Sequence, residues 1–400
     1  MKRHQSRLLV IASVLGMLVL VPLSWLLPFP HGFAKPPVKP DEWVQETPTM
    51  RTPFSPPNGG REIRSLSVHP EGNDWLFVEC ARTGDNRCDV MRYQWKTGKL
   101  YRYGLPTGYT YPYAHYSPQG NYIVMSRRRI SGHSDDEQRR SLDAMQILLM
   151  RSDGGGLEVL PLARGNKLSP FMSRDESRIA FWRTGRILPP GQRLGLLDFD
   201  IWEFDRAHAT ERPFAGIFKF VSGGQAQYLS NDEILFRTFG PVGHLWSYEP
   251  LYGGSRIHRM RRGDARLPEP QVFSGIKYAE MPTMDRAGNL YLWGQTPRYG
   301  LSVIRIEPGG QRRAWQPGVR FVPQELICDP AGTYLATIYW DQPMDVTNRP
   351  GGLAMLDIAT DTWTAIALPL WRDAEIIRVS TSACGMHDGA QGCSINSRSD

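Results

Sequence analysis

The residues of this chain that are best suited to metal or acid–base chemistry are histidines and carboxylates, and they are widely scattered. The candidates are His115, His133, Asp135, Asp136, His244, His387 and Asp388. A metal that polarises a carbonyl or carboxylate needs several such ligands converging on one point. No pair among them has the spacing of a known ligand motif, so we expect surface or hydrogen-bonded side chains. The sequence predicts no catalytic residue, no bound metal and no cofactor.

A second kind of chemistry, recognition of a protein surface, is better represented. Arginine combined with tryptophan and tyrosine is the composition that protein interfaces favour. Several long polar segments of this chain have that composition. The residues we expect to contact a partner are Arg128, Arg129, Arg186, Trp246, Tyr248 and Tyr252. An alternative ligand for the aromatic side chains is a carbohydrate.

The five cysteines suggest an oxidising compartment. Cys80 ends one predicted strand and Cys88 begins the next, so a hairpin can bring them together. Cys384 and Cys393 bracket a glycine-rich loop. We expect both pairs to form disulfides, each adding roughly 2 to 3 kcal/mol on the chain-entropy model. Cys328 is left over and is expected to be a small buried apolar residue.

These residues must be positioned by a repeating unit of about 50 residues, a length typical of stacked supersecondary units. Its landmark is a tight turn that follows an apolar strand. The six copies are 69–72 (His-Pro-Glu-Gly), 117–120 (Ser-Pro-Gln-Gly), 173–176 (Ser-Arg-Asp-Glu), 230–232 (Ser-Asn-Asp), 285–288 (Asp-Arg-Ala-Gly) and 329–332 (Asp-Pro-Ala-Gly). Each copy continues into a β-branched and aromatic run of strand length.

Most copies add a third strand, a polar turn and a fourth strand, as in 146–150 followed by 152–156. Four-stranded units repeated around an axis are typical of an all-β fold, the β-propeller. We therefore predict six blades of four antiparallel strands, preceded by one N-terminal apolar helix. A seventh blade is possible because 375–380 has the composition of one more strand. The alternative is a β-sandwich, which does not need six copies of one landmark.

The pattern Pro-x-aromatic-Ser-x-x-Gly before an apolar strand resembles the WD-like repeats of the TolB-like propeller family. Segments 170–175 (Pro-Phe-Met-Ser-Arg-Asp) and 282–288 (Pro-Thr-Met-Asp-Arg-Ala-Gly) match it best. The resemblance covers about residues 61 to 366 and implies a propeller, a fold used for binding platforms, peptidase gates and lyases. The fourth copy lacks the turn glycine, and the chain lacks room for the separate N-terminal domain of TolB proteins. A TolB-specific role is not implied.

In such a blade, the connection from the second to the third strand lies on the face opposite the repeated turn. Segments 127–143, 183–199, 237–255 and 340–351 all lengthen that connection. Loops gathered on one face of a rigid scaffold are the usual place of recognition. This face contains all the expected partner-binding residues.

The N-terminal segment predicts export. Lys2, Arg3 and Arg7 precede an uncharged run, 8–30, which has the features of a signal peptide or a signal anchor. Nine prolines between positions 28 and 60 favour an extended spacer. The net charge of +7 includes these three cations of the targeting segment, so the rest of the chain is only mildly basic. Such a charge does not predict nucleic-acid binding.

The predicted organisation is a signal peptide or anchor (1–30), a proline-rich linker (31–60), a β-propeller (61–381) and a C-terminal disulfide loop and tail (382–400). Only about 34 residues follow the sixth repeat, too few for an attached α/β-hydrolase domain. We expect a non-catalytic scaffold in the periplasm, anchored in the inner membrane or secreted, that binds an envelope protein. The alternatives are a metal-dependent propeller lyase or lactonase, or a binder of envelope carbohydrate.

Overall fold

The computed structural model describes residues 43–46, 49–50, 61–81, 87–131, 134–187, 196–241, 255–276, 278–297, 300–317, 321–341 and 351–381. All of them belong to one compact unit, Pro40–Asp400. The predicted signal segment 1–30 and tail 382–400 lie entirely outside the described residues. Within the described ranges, no helix is long and apolar enough to cross a membrane.

The described chain forms a β-propeller of six blades, as the repeat predicted. Two short strands precede the blades: β1 (Trp43–Glu46) and β2 (Thr49–Met50). Blade 1 contains β3 (Arg61–Val68), β4 (Asp74–Ala81), β5 (Cys88–Gln94) and β6 (Lys99–Tyr103). Blade 2 contains β7 (Tyr109–Tyr116), β8 (Tyr122–Arg129), helix α1 (Asp135–Asp143), β9 (Gln146–Arg151) and β10 (Glu158–Val159). Blade 3 contains β11 (Leu168–Met172), β12 (Arg178–Ile187), β13 (Leu196–Asp205) and β14 (Thr210–Pro213).

The remaining blades follow the same antiparallel order. Blade 4 contains β15 (Phe220–Tyr228), β16 (Glu233–Pro241) and β17 (Ser255–Arg261), and the Gln271 N–H donates to the Ile257 carbonyl where a fourth strand would lie (2.8 Å). Blade 5 contains β18 (Tyr278–Met284), β19 (Leu290–Thr296), β20 (Gly300–Ile306) and β21 (Arg312–Trp315). Blade 6 contains β22 (Phe321–Cys328), β23 (Tyr334–Asp341), β24 (Gly351–Asp357) and β25 (Thr362–Ile366), and it is followed by a 3-10 turn (Trp371–Asp373) and β26 (Glu375–Ile377).

The repeated landmark is a hydrogen-bonded turn in five of the six blades. In each, the fourth residue of the turn donates its N–H to the carbonyl of the first, at 2.7 to 3.2 Å. The donors are Gly72, Gly120, Glu176, Gly288 and Gly332. All five have a positive φ, which glycine adopts without strain. Glu176 takes the same conformation in blade 3 (φ 59°), so the turn survives there without glycine.

The core is divided among the blade seams. Six apolar clusters fill the molecule, and each joins two neighbouring blades, including blade 6 with blade 1. Trp75, Trp182, Trp315 and Trp363 are the largest fully buried side chains. Because every blade buries both faces against its neighbours, no single blade contains the core.

The ring closes with each end of the chain adding a short outer strand to a blade near the opposite end. Blades 1 and 6 are each built from consecutive strands, and the tails run along the outer edges of other blades. Strand β1 pairs in parallel with β21 of blade 5, and β2 with β25 of blade 6. At the other end, β26 pairs in parallel with β6 of blade 1. The segment 375–380 is therefore an added outer strand, and no seventh blade forms among the described residues.

Part of the predicted linker, 31–60, thus forms short strands against blades 5 and 6, while the linker's bounds stay a prediction. The predicted Cys80–Cys88 disulfide is present, between two residues that face each other across β4 and β5. Cys328 is a free, buried thiol. Cys384 and Cys393 lie outside the described residues, so their pairing remains a prediction.

Candidate functional site: a loop-face cleft and a closed channel

We call the side of the ring that carries the repeated turns the turn face, and the side with the connections from second to third strands the loop face. A cavity of about 840 Å³ opens on the loop face between blades 2 and 3. Its walls come from the end of α1, the connection 164–166, the facing ends of β12 and β13, and residues 217–219. We call this cavity the blade 2–3 cleft.

Helix α1 forms one side of the cleft, and its sequence explains why it begins where it does. Ser134-x-x-Glu137 has the sequence of a capping box: the Ser134 hydroxyl accepts the N–H of Glu137 (3.4 Å) as the N-cap bond, and it donates to the Glu137 carboxylate (2.8 Å). The Ser141 hydroxyl donates to the Arg129 carbonyl (2.6 Å) and ties the helix to β8. The last two turns therefore present Arg139 and Arg140 to the cleft.

The opposite wall is fixed by a partly buried ion pair. Arg183 Nη1 contacts Glu211 Oε1 at 2.7 Å, and Arg183 Nη2 donates to the Arg164 carbonyl (3.1 Å). The Arg183 guanidinium also lies over the Trp202 ring, 4.4 Å from its centre. At Gly165, a Cβ would lie 3.2 Å from Arg183 Nε, so a larger residue would push this wall outward. The wall is preformed because each of its polar groups has an internal partner.

The floor of the cleft carries two aspartates that project from the same side of β13. Asp200 Oδ1 accepts the N–H groups of Phe218 (2.7 Å) and Lys219 (3.1 Å). Burial raises the pKa of Asp200, against the lowering effect of these two hydrogen bonds. Asp198 and Lys219 both have left-handed backbones, with φ of 60° and 55°. Two non-glycine residues with this backbone beside one cavity indicate local strain that the surrounding structure holds in place.

A buried lysine frames the cleft from behind. Lys167 Nζ donates to the carbonyls of Met145 (3.2 Å), Ala163 (2.5 Å) and Gly165 (3.0 Å). Desolvation lowers the pKa of Lys167 to about 8. All three ammonium protons are used, so Lys167 joins the end of α1 to the start of blade 3 and is poorly placed to act as a nucleophile.

The rim of the cleft is cationic and partly unpaired. Three aspartates line the cavity, together with five cationic side chains: Arg139, Arg140, Arg164, Arg183 and Lys219. Arg164 pairs with Asp143 (2.7 Å), and Arg183 with Glu211. Within the described ranges, the side chains of Arg139 and Lys219 make no hydrogen bond or ion pair. Ile217, which is 51% exposed, adds apolar surface to this rim.

The structure places only part of the predicted partner-binding set. Arg128 and Arg129 end β8 on the loop face, where Arg129 is exposed and burial lowers the pKa of the half-buried Arg128. Arg186 lies in β12, but its side chain is outside what the structure describes, as are Trp246, Tyr248 and Tyr252 entirely. The roles of these six residues stay a prediction. Sequence reasoning missed Asp198, Asp200 and Lys219, whose meeting depends on non-local pairing.

A second cavity, of about 850 Å³, is the central channel, which is lined by the innermost strand of every blade. Each of these six strands has an irregular register near its middle, a β-bulge that re-aims side chains toward the axis. Apolar and aromatic side chains, including Tyr113, Met172, Tyr228 and Met281, occupy much of the lining. The channel is therefore a cavity with a largely apolar and aromatic lining.

Side-chain hydrogen bonds to backbone groups close all six seams around the channel. From seam 1–2 to seam 6–1 they are Ser67 to Tyr116 N–H, His115 to Pro170 carbonyl, Trp182 to Gly224 carbonyl, Gln227 to Met284, Thr283 to Cys328 N–H, and Glu325 to the N–H groups of Ser65 and Leu66. The polar residues of the inner strands thus hold neighbouring blades together.

His115 and Ser65 come close enough to suggest a catalytic dyad, but their geometry opposes it. The Ser65 hydroxyl lies 3.4 Å from His115 Nε2, yet it donates to the Ala114 carbonyl (3.2 Å) and accepts the Ala114 N–H (3.1 Å). His115 Nδ1 lies 2.8 Å from the Pro170 carbonyl, so Nδ1 carries the hydrogen. Burial lowers the pKa of His115 to about 4. Across the described residues, no group of three His, Cys, Asp or Glu could hold a metal ion.

Comparison with known proteins identifies the fold. No protein-family profile and no curated protein sequence matches the chain. Among solved structures, it is similar to TolB from Acinetobacter baumannii (13% identity, 76% of this chain and 62% of that one, TM-score 0.48). It is also similar to the tricorn protease (13%, 78% and 26%, 0.50) and to an oligogalacturonate lyase in complex with manganese (10%, 76% and 76%, 0.46).

The chain spans less than two thirds of the length of the TolB structure. At identities this low, such likenesses concern the propeller fold alone and leave the activity open. The function must therefore be argued from the cleft and the channel themselves.

Proposed function

We propose that this protein is a non-catalytic binding scaffold that holds a protein partner on its loop face, with the blade 2–3 cleft as the centre of the contact. The observation that carries this proposal is the construction of the cleft. One wall is preformed by Arg183, Glu211 and Trp202, while the side chains of Arg139 and Lys219 on the rim make no hydrogen bond or ion pair with any residue that the structure describes. A rigid surface with unused cations favours recognition because little ordering is required on binding.

The chemistry of the cleft favours a polypeptide over a carbohydrate. Sugar-binding sites stack a ring on an open aromatic face, but Arg183 covers one face of Trp202. Exposed Ile217 offers apolar contact, and the rim cations and floor aspartates can meet opposite charges and backbone N–H groups of a protein segment. The partner's contact segment should therefore be acidic where it meets Arg139, Arg140 and Lys219.

The groups that could support catalysis are occupied. The Lys167 ammonium donates three hydrogen bonds to backbone carbonyls, and the Ser65 hydroxyl is hydrogen-bonded to both the carbonyl and the N–H of Ala114. Cys328 is buried, which raises the pKa of its thiol far above the usual range. These commitments favour a scaffold over a lyase, a lactonase or another hydrolase.

The expected setting is the bacterial envelope. The uncharged run 8–30 and the proline-rich stretch would hold the ring near the inner membrane or export it, and the partner would be an envelope protein. Trp246, Tyr248 and Tyr252 of blade 4 would extend the contact surface on the same face. Arg128, Arg129 and Arg186 would do so near the channel.

Site-specific photo-cross-linking in the full-length chain tests the proposal. A photoreactive residue at Ile217, on the cleft rim, should capture one discrete envelope protein. The same residue at Val272, which is 77% exposed and lines neither cavity, is the matched control. Equal capture at both positions, or none at Ile217, would refute the cleft as the recognition site.

Charge reversal sharpens this test. The double variant Arg139→Glu and Lys219→Glu should weaken partner binding by about tenfold or more, since two unpaired cations lose their anionic contacts. Arg266→Glu, which changes an exposed cation that lines neither cavity, should leave binding unchanged. Binding that survives the double variant would show that the partner does not use the rim.

A further inference from the structure

The middle of the channel contains a group of hydrogen-bond acceptors with unused capacity. Glu325, His115 and Gln225 come from three different blades and all line the same cavity. Each retains partial exposure to it. The hydrogen bonds that close the seams leave each of these three side chains with room to accept a further hydrogen bond. This combination is distinct from the cationic cleft on the loop face.

Contacts through Ser65 and Leu326 link the three acceptor residues. The Glu325 carboxylate accepts the N–H groups of Ser65 (3.1 Å) and Leu66 (2.5 Å), and the Ser65 hydroxyl lies 3.4 Å from His115 Nε2. From blade 4, Gln225 Nε2 donates across the channel to the Leu326 carbonyl (2.6 Å), next to Glu325 in the chain. The Gln225 amide is therefore held beside Glu325.

The unused atoms are all acceptors. Gln225 Oε1 is buried and has no hydrogen-bond partner. His115 Nε2 is an acceptor because Nδ1 carries the ring hydrogen toward Pro170. A carboxylate can accept more than the two bonds that Glu325 receives. A buried acceptor without a donor is costly, so the site favours a ligand that brings a donor.

The nearby donors are committed elsewhere. Arg237 Nη2 pairs with Glu280 (2.5 Å), and the Tyr228 hydroxyl donates to Glu203 (2.9 Å). Both polar atoms of the Gln227 side-chain amide are hydrogen-bonded to the Met284 backbone. The hydroxyl of Tyr113, whose charge couples to that of Glu325, can either donate or accept. No arginine or lysine is bonded to Glu325 within the described residues.

Aromatic rings surround the acceptors. Tyr113, Phe171, Trp182 and Phe199 line the same cavity. Aromatic faces attract organic cations, and the attraction is strongest where water is excluded. Acceptors at the centre with rings around them form the environment that suits a charged nitrogen.

We propose that the central channel binds an ammonium or guanidinium group, held by the Glu325 carboxylate, Gln225 Oε1 and His115 Nε2. Two sources share this chemistry: a free small amine, and a lysine or arginine side chain of a bound protein. The proposal stands apart from the blade 2–3 cleft, because the two cavities share no residue. The charged residues that line the channel besides Glu325 are Arg174, Arg237, Asp285 and Arg286.

The protonation of Glu325 supports the proposal and makes it measurable. Desolvation raises the pKa of Glu325 to about 7, although the N–H groups of Leu66 and Ser65 act to lower it. The groups around it are Tyr113, neutral His115, and Arg64 and Arg128 beyond Tyr113. A cation requires the ionised carboxylate, so binding should tighten by about tenfold between pH 6 and pH 8.

Calorimetric titration of the full-length chain with n-butylamine tests this inference, with 1-butanol as the neutral isostere. We expect butylammonium to bind, more tightly at pH 8 than at pH 6, and butanol to bind at least tenfold more weakly. Gln225→Leu should weaken amine binding while leaving the Glu325 bonds to blade 1 in place. Glu325→Gln should weaken it and remove the pH dependence, and Arg139→Glu should leave it unchanged.

A lysine tripeptide, N-acetyl-Gly-Lys-Gly-amide, separates the two sources. Binding of butylamine indicates a free amine, and binding of the tripeptide alone indicates the side chain of a protein. Binding of neither overturns the proposal, as does equal affinity for butylamine and butanol or full affinity in both channel variants. Because the Ile217 cross-link reports on the cleft, failure here leaves the proposed scaffold function separately testable.

Discussion

The channel and the blade 2–3 cleft have nearly the same volume, about 850 and 840 Å³, yet they are built in opposite ways. The channel takes one strand from each of six blades, at the same position of the repeat. The cleft forms only where the repeat is interrupted, by α1 in blade 2 and by the long β12–β13 hairpin in blade 3. Repetition gives this molecule an acceptor-rich axis, and departures from repetition give it a cationic surface.

The two cavities also share a wall. Strand β13 carries Trp202 toward the cleft, and Tyr228 of β15 faces the channel. Between them, the carboxylate of Glu203 is fully buried and accepts hydrogen bonds from Arg178 (3.1 Å), Arg262 (2.7 Å) and the Tyr228 hydroxyl (2.9 Å). This ion cluster joins blades 3 and 4, whose sheets also meet at Phe199 and Phe220.

The largest expected effect comes from breaking this shared wall. Glu203→Ala should lower the free energy of unfolding by about 3 to 5 kcal/mol, because it leaves Arg178 and Arg262 near an empty buried site. Urea unfolding followed by tryptophan fluorescence measures the loss. Arg212→Ala is the control: Arg212 is 53% exposed and 3.7 Å from Glu203, so the loss should stay below about 1 kcal/mol. Similar losses in both variants would contradict the central role of Glu203.

The next effect separates the channel from the cleft by pH. The pKa of Glu325 is raised from 4.5 to about 7, so the folded state binds this proton more tightly than the unfolded state does. Its contribution to stability is complete below pH 4.5 and is lost as pH rises through 7, by up to about 3 kcal/mol. Urea unfolding at pH 5, 6, 7 and 8 should show this decline in the wild type and not in Glu325→Gln. If the free energy of unfolding declined equally with pH in the wild type and in Glu325→Gln, the decline would belong to other groups.

A third test concerns how loops on one face are held. The Cys80–Cys88 bridge closes a short loop on the loop face, with a sequence separation of 8 residues. The Cys80→Ala and Cys88→Ala double variant should lose roughly 2 to 3 kcal/mol. Calorimetric unfolding measures it, and Cys328→Ala, which leaves the bridge intact, serves as the comparison for removing a buried thiol. An unchanged midpoint in the double variant would show that strand pairing alone holds this loop.

The smallest effect should be local to the cleft. Ser134→Ala removes the N-cap of α1 and should cost about 1 kcal/mol. Hydrogen exchange should then accelerate in 135–143 and stay unchanged in β7 and β11, which line the channel. Faster exchange in those inner strands would mean that the cleft and the channel are mechanically coupled.

The sequence predicted what repeats and missed what does not. Turn landmarks such as 117–120 and 329–332 recur because every blade needs the same reversal, and they were enough to count six blades. The capping box Ser134-x-x-Glu137 was readable and would have placed α1. The composition of 375–380 predicted a strand where β26 forms, but not its place at the edge of blade 1. Strand β1 leaves no periodic signal, since it adds only a few residues to the edge of a distant blade.

The chemistry of the two cavities was less predictable. Arg139 and Arg183 belong to long loops that composition marked as polar, but Asp198, Asp200 and Lys219 meet only after β13 and the next blade have packed. Likewise, Glu325 looks like an ordinary strand glutamate in the sequence. Its unusual pKa arises because closing the ring buries it against blade 1.

The way the ring closes has a consequence for synthesis of the chain. In many circular folds one sheet needs strands from both ends, so it stays incomplete until translation finishes. Here every blade is continuous in sequence, and each can pair its own strands as soon as they leave the ribosome. Contacts between the two ends of the chain must wait for the last blade: Glu325 docks on Ser65 and Leu66, the Trp75 indole N–H donates to the Tyr334 hydroxyl, and β26 pairs with β6. The nascent chain therefore exposes one unfinished blade at a time, which limits the unpaired strand edges available for aggregation.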